Sequence, residues 1–343
     1  MPVKIAINGF GRIGRTFFRQ AFSRPEIDIV AINDVGEIEN LAYLLEYDTV
    51  YGRFGHRVEV LREGAQPFLS VDGKRVLVFS EREPEKLPWE ALGIDIVVEA
   101  SGVFASEEGG KRHLAAGAKR VLITAPAKGD VPHVLIGANE DAFSDTLKPI
   151  TANASCTTNA TVPPVAVLWE EPGFTKGILV TVHAYTATQG LVDGPGGKGD
   201  FRRGRAAAHN IVPSHTGAAD AVVKSLPELE GIFDGLAMRV PVIAGSLAVI
   251  TVLAKRPTSV EEINEIFRRA SQSPRWKGIV GITEEPVVSS DIIGTTEPAI
   301  VDLTFTRVTA QDLVTIFSWY DNEWAYSATL VEHVLRLAKL LAS

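Results

Sequence analysis

The sequence predicts an α/β fold whose first half is a doubly wound parallel sheet, and three observations predict it. Short apolar runs at Val3 to Asn8, Ile27 to Asn33, Ile94 to Glu99 and Arg120 to Thr124 alternate with helical stretches. Continuous apolar strands separated by helices indicate a parallel sheet covered on both faces. Gly9-Phe10-Gly11-Arg12-Ile13-Gly14 follows the first run directly and opens a helix over Arg12 to Phe22. The second run ends at Asp34, about 20 residues beyond the last of these glycines.

Strand, glycines, helix, strand and acidic residue thus fall in the order that a dinucleotide site needs. Gly9, Gly11 and Gly14 let the backbone approach a pyrophosphate at the helix N-terminus, and Asp34 is placed to accept from the adenosine ribose hydroxyls. Its charge would repel a 2′-phosphate, so NAD is expected rather than NADP. The alternative is a tight turn with a strand-end aspartate. Further along, Val58 to Val60, Phe68 to Val71 and Arg75 to Phe79 read as a small antiparallel excursion with a hairpin turn at Asp72-Gly73. A helical stretch over Glu107 to Ala116 precedes Arg120 to Thr124, and His133 to Gly137 reads as one more strand. Gly102 and Thr124-Ala125-Pro126 follow strand ends, where loops face the ligand in such sheets.

Composition narrows the class. The 343 residues are 45% hydrophobic and 22% charged, which is ordinary for a soluble enzyme, and the length suggests two domains. A net charge of −8 argues against a dedicated nucleic-acid surface. No stretch approaches the roughly 20 apolar residues of a membrane span, and Pro2 to Asn8 reads at once as a strand rather than a secretion leader. A single cysteine excludes an internal disulfide framework and suits a reducing compartment, so a cytoplasmic protein is expected. No metal site is expected.

That cysteine, Cys156, lies in Asn153-Ala154-Ser155-Cys156-Thr157-Thr158-Asn159, just before a helix expected over Ala160 to Trp169. A helix N-terminus favours the thiolate, and the surrounding hydroxyls and N–H groups suit an anion such as phosphate. The plainer reading is a small buried hydrophobe. The pattern then changes. Gly177 to Val182 reads as a strand leading to His183, followed by a long polar stretch from Ala187 to His209 with Arg202, Arg203 and Arg205. Among the histidines, His183 alone ends an apolar strand and opens a polar loop, which makes it the best partner for Cys156. A structural strand-end histidine is the alternative. Arg239 sits inside the apolar run Met238 to Val242 and suits a phosphate, unless it snorkels from a strand edge. Strands are also expected at Leu247 to Ala254 and Leu313 to Tyr320, and helices at Val260 to Ala270 and Ala325 to Leu341.

These residues resemble the phosphorylating glyceraldehyde-3-phosphate dehydrogenase family across essentially the whole chain. The marks are Asn8 to Arg15, Ala154 to Asn159, Thr181 to Thr186, Arg239-Val240-Pro241 and Trp319 to Trp324. The resemblance implies a Rossmann-type NAD-binding domain over residues 1–155, completed by a C-terminal helix over 323–343. Residues 156–322 would form an α+β catalytic domain with a mainly antiparallel sheet. It implies Cys156 as nucleophile on the aldehyde of glyceraldehyde 3-phosphate and His183 as its base. It implies Thr186, Thr188 and Arg239 for the substrate's own phosphate. Ser155, Thr157, Thr216 and Gly217 would hold the attacking inorganic phosphate, with Arg203, or else Arg202, between the two sites. Arg12, Ile13, Asp34, Arg82, Thr124 and Asn322 match cofactor contacts, Asn322 at the nicotinamide amide. The loop from Ala184 to His209 matches one that reaches a neighbouring subunit, so a homotetramer is implied. Departures are Ala160 in place of a second cysteine, His215 before Thr216, Val242, Ala325 and the pair Pro163-Pro164. Two rivals stand beside this reading. One is an erythrose-4-phosphate dehydrogenase that hydrolyses the thioester; the other is a catalytically silent NAD-binding interaction protein.

Overall fold

The computed structural model describes residues 1–64 and 66–342, and the chain divides into two compact units. The first comprises Met1–Ala154 with the stretch from Ser327 onward; the second is Ser155–Tyr326. The position at which the C-terminal helix was expected to end, Ser343, lies outside the described residues.

In the first unit, β1 (Val3–Asn8), α1 (Arg12–Ala21) and β2 (Ile27–Asn33) open the fold, followed by α2 (Ile38–Glu46) and a short hairpin of β3 (Tyr47–Asp48) and β4 (Gly52–Arg53). Next come β5 (Val58–Glu63), β6 (Gln66–Val71), β7 (Lys74–Phe79), α3 (Trp89–Leu92), β8 (Ile96–Glu99), α4 (Glu107–Ala115), β9 (Arg120–Ile123) and β10 (Ile150–Ala152). The strands form a sheet in the order β10-β9-β8-β1-β2-β7-β6-β5. Pairings from β10 to β7 are parallel; those of β7 with β6 and β6 with β5 are antiparallel. Ile5, Ala6 and Ile7 are all fully buried, so β1 is covered on both faces, as its unbroken apolar run requires. The hairpin between β6 and β7 turns at Asp72 and Gly73 with φ of 48° and 83°, the left-handed pair a tight two-residue turn needs. Strand order reverses direction beside β1, between β8 and β2, which opens a crevice at the carboxyl ends of these strands.

One expected strand is absent. His133 to Gly137 contributes only a single bridge, His133 to Ala152. The Asn139 side chain accepts from Leu135 N at 2.7 Å and donates to His133 O at 2.9 Å, so it satisfies backbone that a strand partner would otherwise have taken.

The second unit begins with α5 (Cys156–Glu170) and β11 (Phe174–Ala184), then β12 (Val212–Ser214), α6 (Ala218–Ser225), β13 (Phe233–Val240), β14 (Ser246–Ala254) and α7 (Val260–Gln272). It closes with β15 (Val280–Thr283), β16 (Ala299–Thr309), β17 (Leu313–Tyr320) and the start of α8 (Trp324–Ala342). Its sheet runs β12-β13-β11-β14-β17-β16-β15 and is mainly antiparallel, with parallel pairs at β13/β11 and β16/β15. Burial alternates strictly along β14, as in a sheet with one packed face. Helix α5 starts at Cys156 rather than Ala160, because Ser155 caps it by accepting from Thr158 N at 3.0 Å. The helix continues through Pro163 and Pro164, both buried. A proline well inside a helix costs about 3 kcal/mol or more, and burial of the surrounding apolar residues outweighs it here.

Back in the first unit, α8 contributes His333, fully buried beside Phe143 with its ring nitrogens 3.1 Å from Thr151 Oγ1 and 3.1 Å from Asn153 Oδ1. Burial pushes its pKa down to about 3 from 6.5. The unfolded chain therefore binds a proton that the folded chain refuses between those values, and stability falls as pH drops through that window. The loss from this group is at most about 1.4 kcal/mol per pH unit. Urea titrations from pH 7 to 4.5 are expected to show a shallower fall of stability for His333→Gln than for the wild type; equal slopes would remove His333 as a cause.

Candidate active site

The crevice of the first unit is a cavity of about 320 Å³ lined by Gly9, Gly11, Asp34, Arg82, Ser101 and Phe104 among others. Gly9 has φ of +93° and packs on the Ala100–Ser101 backbone, while Gly14 packs on Gly9 O, so neither site has room for a Cβ. A Cβ at Gly11 would instead meet nothing within 4 Å; it would project into open space at the start of α1. No side chain caps that helix at Gly11, so its positive end is available to an anion. Asp34 accepts from Phe10 N at 2.6 Å and Gly36 N at 2.8 Å, which fixes its carboxylate at the cavity wall while each oxygen retains a second lone pair. These features fit a dinucleotide. Arg12, Ile13 and Thr124 lie outside the lining; the Arg12 side chain pairs with Asp48, and Thr124 N donates to Glu99 O at 3.0 Å.

In the second unit, Cys156 Sγ lies 3.3 Å from His183 Nε2. Helix α5 supplies the sulfur at its first residue, and β11 supplies the imidazole at its penultimate one. On the far side of the ring, Nδ1 is 2.6 Å from Ala184 O and 2.7 Å from Arg239 Nη1. Nδ1 can give a proton to the carbonyl or accept one from the guanidinium, so the ring stays anchored in either tautomer. The Tyr320 ring meets His183 edge-on at 5.9 Å, and its hydroxyl bonds Thr157 Oγ1 at 3.0 Å and Thr181 Oγ1 at 2.8 Å.

The electrostatics amend one expectation. A helix N-terminus alone was expected to lower the Cys156 pKa; burial instead pushes the thiol up, and the opposing pull of Arg239, the Thr157 hydroxyl and the nearby N–H groups does not cancel it. Cys156 keeps partial surface exposure, yet dense protein surrounds its sulfur. Burial, then the Arg239 charge, pushes His183 down to about 3. Sulfur and imidazole thus face each other with burial favouring the neutral form of each.

Of the residues expected to bind phosphate, two arginines lie close to this pair. Arg239 touches His183, and the charge of Arg203 acts on both of them. Arg203 is half-buried and held by Ser214 Oγ at 3.0 Å, whereas Arg202 is exposed, which favours Arg203 of the two. Thr186 and Thr188 lie side by side with their hydroxyls 2.9 Å apart. Ser155 is used as the helix cap. Thr216 and Gly217 sit before α6, with the Thr216 hydroxyl accepting from Ala218 N at 3.1 Å; no described hydrogen bond joins them to Cys156. Asn322 is buried and accepts from Ser246 Oγ at 2.9 Å, and Ser246 in turn accepts from Ala184 N at 3.0 Å. Sequence reasoning assigned no role to Ser246 or to the Tyr320 hydroxyl; both act through strand pairings that local patterns do not encode. Among the described residues there is no cluster suited to a metal ion, and no helix is long and apolar enough to cross a membrane.

Comparisons with known proteins agree with this geometry. Residues 3–107 match the family described as the NAD binding domain of glyceraldehyde 3-phosphate dehydrogenase, and residues 155–322 match its C-terminal domain. The chain is 47% identical to glyceraldehyde-3-phosphate dehydrogenase of Borreliella burgdorferi over 98% of its length and 100% of the relative's. It is 44% identical to the enzyme of that name from Streptomyces coelicolor, over 97% of each chain. Against glyceraldehyde-3-phosphate dehydrogenase 2 of Streptomyces avermitilis the identity is 43%, again over 97% of each.

Proposed function

The chain belongs to the glyceraldehyde 3-phosphate dehydrogenase family, and on that premise we propose that it oxidises glyceraldehyde 3-phosphate with NAD and inorganic phosphate to 1,3-bisphosphoglycerate, a step of glycolysis and its reverse. Its cofactor is NAD. The observation that carries the reading is the 3.3 Å approach of Cys156 Sγ to His183 Nε2, with Arg239 behind the ring.

His183 takes the thiol proton as Cys156 attacks the aldehyde carbon, which gives a thiohemiacetal. The Cys156 N–H at the start of α5 and the protonated imidazole would steady the oxygen. Gly9, Gly11, Gly14 and Asp34 would hold NAD in the first unit, with Arg82 at the cavity wall. Arg12 and Ile13 would contribute through the helix start, Thr124 from the end of β9 and Asn322 at the nicotinamide amide. Bound NAD would supply the acceptor for the hydride that leaves the thiohemiacetal carbon, so that a thioester remains on Cys156. His183 would then release the thiol proton to solvent; a phosphate oxygen attacks the thioester carbon, His183 takes the phosphate proton, the C–S bond breaks, and that proton returns to the departing sulfur to regenerate Cys156.

Thr186, Thr188 and Arg239 are assigned to the substrate's own phosphate. Arg239 Nε supports this, because it is a buried donor with no described partner, the kind of group an incoming phosphate oxygen satisfies. Ser155, Thr157, Thr216 and Gly217 are assigned to the attacking phosphate, with Arg203 between. The deciding experiment is NAD reduction with glyceraldehyde 3-phosphate, with and without inorganic phosphate, beside erythrose 4-phosphate. Phosphate-dependent turnover of the triose is expected; phosphate-independent turnover of the tetrose would replace this reading with the hydrolytic one.

Asp34→Gly is expected to narrow the preference for NAD over NADP, read as the ratio of kcat/KM for the two. An unchanged ratio would mean that Asp34 does not meet the ribose. We also infer a cytoplasmic homotetramer. Leu191, Val192 and Phe201 on the 184–209 loop are 79%, 73% and 85% exposed, and Ile178, Leu236 and Met238 face outward from the sheet. Apolar surface of this extent is covered by association. Sedimentation of a monomer at micromolar concentration would rule it out.

A further inference from the structure

Under the crevice of the first unit runs a connected set of buried polar side chains that the chemistry above does not use. Three adjacent strands, β8, β1 and β2, end on polar residues in register: Glu99 opposite Asn8, and Asn8 opposite Asn33. All three are nearly inaccessible, at 2%, 2% and 4% exposed. Glu99 Oε2 accepts from Asn8 Nδ2 at 2.5 Å and from His113 Nε2 at 3.0 Å. Glu99 Oε1 accepts from Ser101 N at 2.9 Å and from the Ser101 hydroxyl.

The far end of the set fixes the direction of its hydrogen bonds. Trp89 Nε1 can only donate, and it does so to His113 Nδ1 at 3.2 Å. Nδ1 is therefore the bare nitrogen, and Nε2 carries the proton that goes to Glu99. With that assignment the two oxygens of Glu99 face four donors, one for each lone pair in the carboxylate plane.

Each branch ends in a wall of the cavity. Asn8 lines it, and its Oδ1 accepts from Asn33 Nδ2 at 2.7 Å; Asn33 also clasps Glu81, donating to its carbonyl at 2.9 Å and accepting from its N–H at 2.8 Å. Glu81 and Arg82 line the cavity on that side. Ser101 lines it on the other, and its hydroxyl accepts from Val103 N at 3.1 Å, while the next residue, Phe104, meets the His113 ring edge-on at 6.3 Å.

We propose that Glu99, oriented by His113 and Trp89, is a positioning residue for the NAD crevice. Its carboxylate ties the loop at Asn8 to the loop at Ser101, and through Asn33 to the loop at Glu81, so that the three walls are already set before the dinucleotide arrives. The inference rests on reading this cavity as the NAD site. Glu99→Gln keeps the shape but turns one acceptor oxygen into an NH₂ group, so two of the four donors face a donor and the loops lose a shared anchor.

The test is calorimetric titration of NAD into the full-length protein, with steady-state kinetics beside it. Wild-type binding is expected; its absence would overturn the cofactor reading itself. Given that binding, Glu99→Gln is expected to weaken NAD affinity by about 10-fold or more, with KM for NAD rising in step and kcat at saturating NAD within about threefold of the wild type. Ser101→Ala, which removes only a surface hydroxyl, is expected to weaken NAD on its own, and the two changes together to cost less than the product of their separate effects, because one acts through the other. Unaltered NAD affinity in Glu99→Gln, a fall in kcat without a rise in KM, or fully multiplicative effects would overturn the proposal. Should Glu99→Gln fail to fold, unaltered affinity in Ser101→Ala overturns it equally.

Discussion

Cys156→Ser is expected to lower the rate of NAD reduction by about 10³-fold or more while leaving NAD binding in place. Two effects combine. The serine hydroxyl is a far poorer nucleophile at neutral pH than a thiol whose proton a neighbouring imidazole can take, and the smaller oxygen sits further from His183 Nε2 than the 3.3 Å that separates the sulfur from it. The rest of the site is not disturbed, since Ser155 still caps α5 and Tyr320 still holds Thr157. Absorbance of the reduced cofactor reports the first quantity and calorimetry the second. Turnover within tenfold of the wild type would sink the covalent route.

His183→Asn is the second large effect. Removing the base is expected to cost between about 10² and 10⁴ in kcat. The same change should slow alkylation of Cys156 by iodoacetamide at neutral pH, because burial pushes the thiol up and the imidazole 3.3 Å from it is gone. The asparagine can still accept from Arg239, so the guanidinium keeps a partner and the substrate's phosphate site is retained; KM for glyceraldehyde 3-phosphate should change far less than kcat. An unchanged kcat, or alkylation as fast as in the wild type, would return His183 to a structural part.

Much of the architecture was legible because its signals are local. Ile27 to Asn33 and Leu313 to Tyr320 were bounded correctly as strands, since each is an apolar run stopped by a polar or turn residue. The glycine fingerprint was readable because each glycine answers a steric demand within a few residues. What escaped depends on pairings across long stretches of chain. His183 and Arg239 are neighbours only because β11 and β13 pair in parallel with those two residues in register. Ser246 and Tyr320 reach the site by the same kind of long-range register. The strand β16 follows from burial in the second unit, where tertiary packing overrides local preference. His133 to Gly137 failed in the opposite sense: its apolar residues suit a strand, but a single asparagine side chain had already claimed its backbone.

The division of the chain has a consequence for how it is made. The first unit is discontinuous: residues 155–326 fold elsewhere before the stretch from Ser327 returns to it. That stretch is not an appendage, for Ser327 bonds Thr16 at 2.7 Å, Thr329 accepts from Asn153 at 2.8 Å, and Leu330, Val334 and Leu337 are fully buried. On a ribosome, where chains emerge at roughly 5–20 residues per second and domains tend to fold N-terminal first, the sheet of the first unit must wait for α8. The second unit, contiguous and earlier to be complete, can close in the meantime. A nascent chain stalled short of Ser327 would therefore present a folded second unit while the first still lacks the buried residues Leu330, Val334 and Leu337.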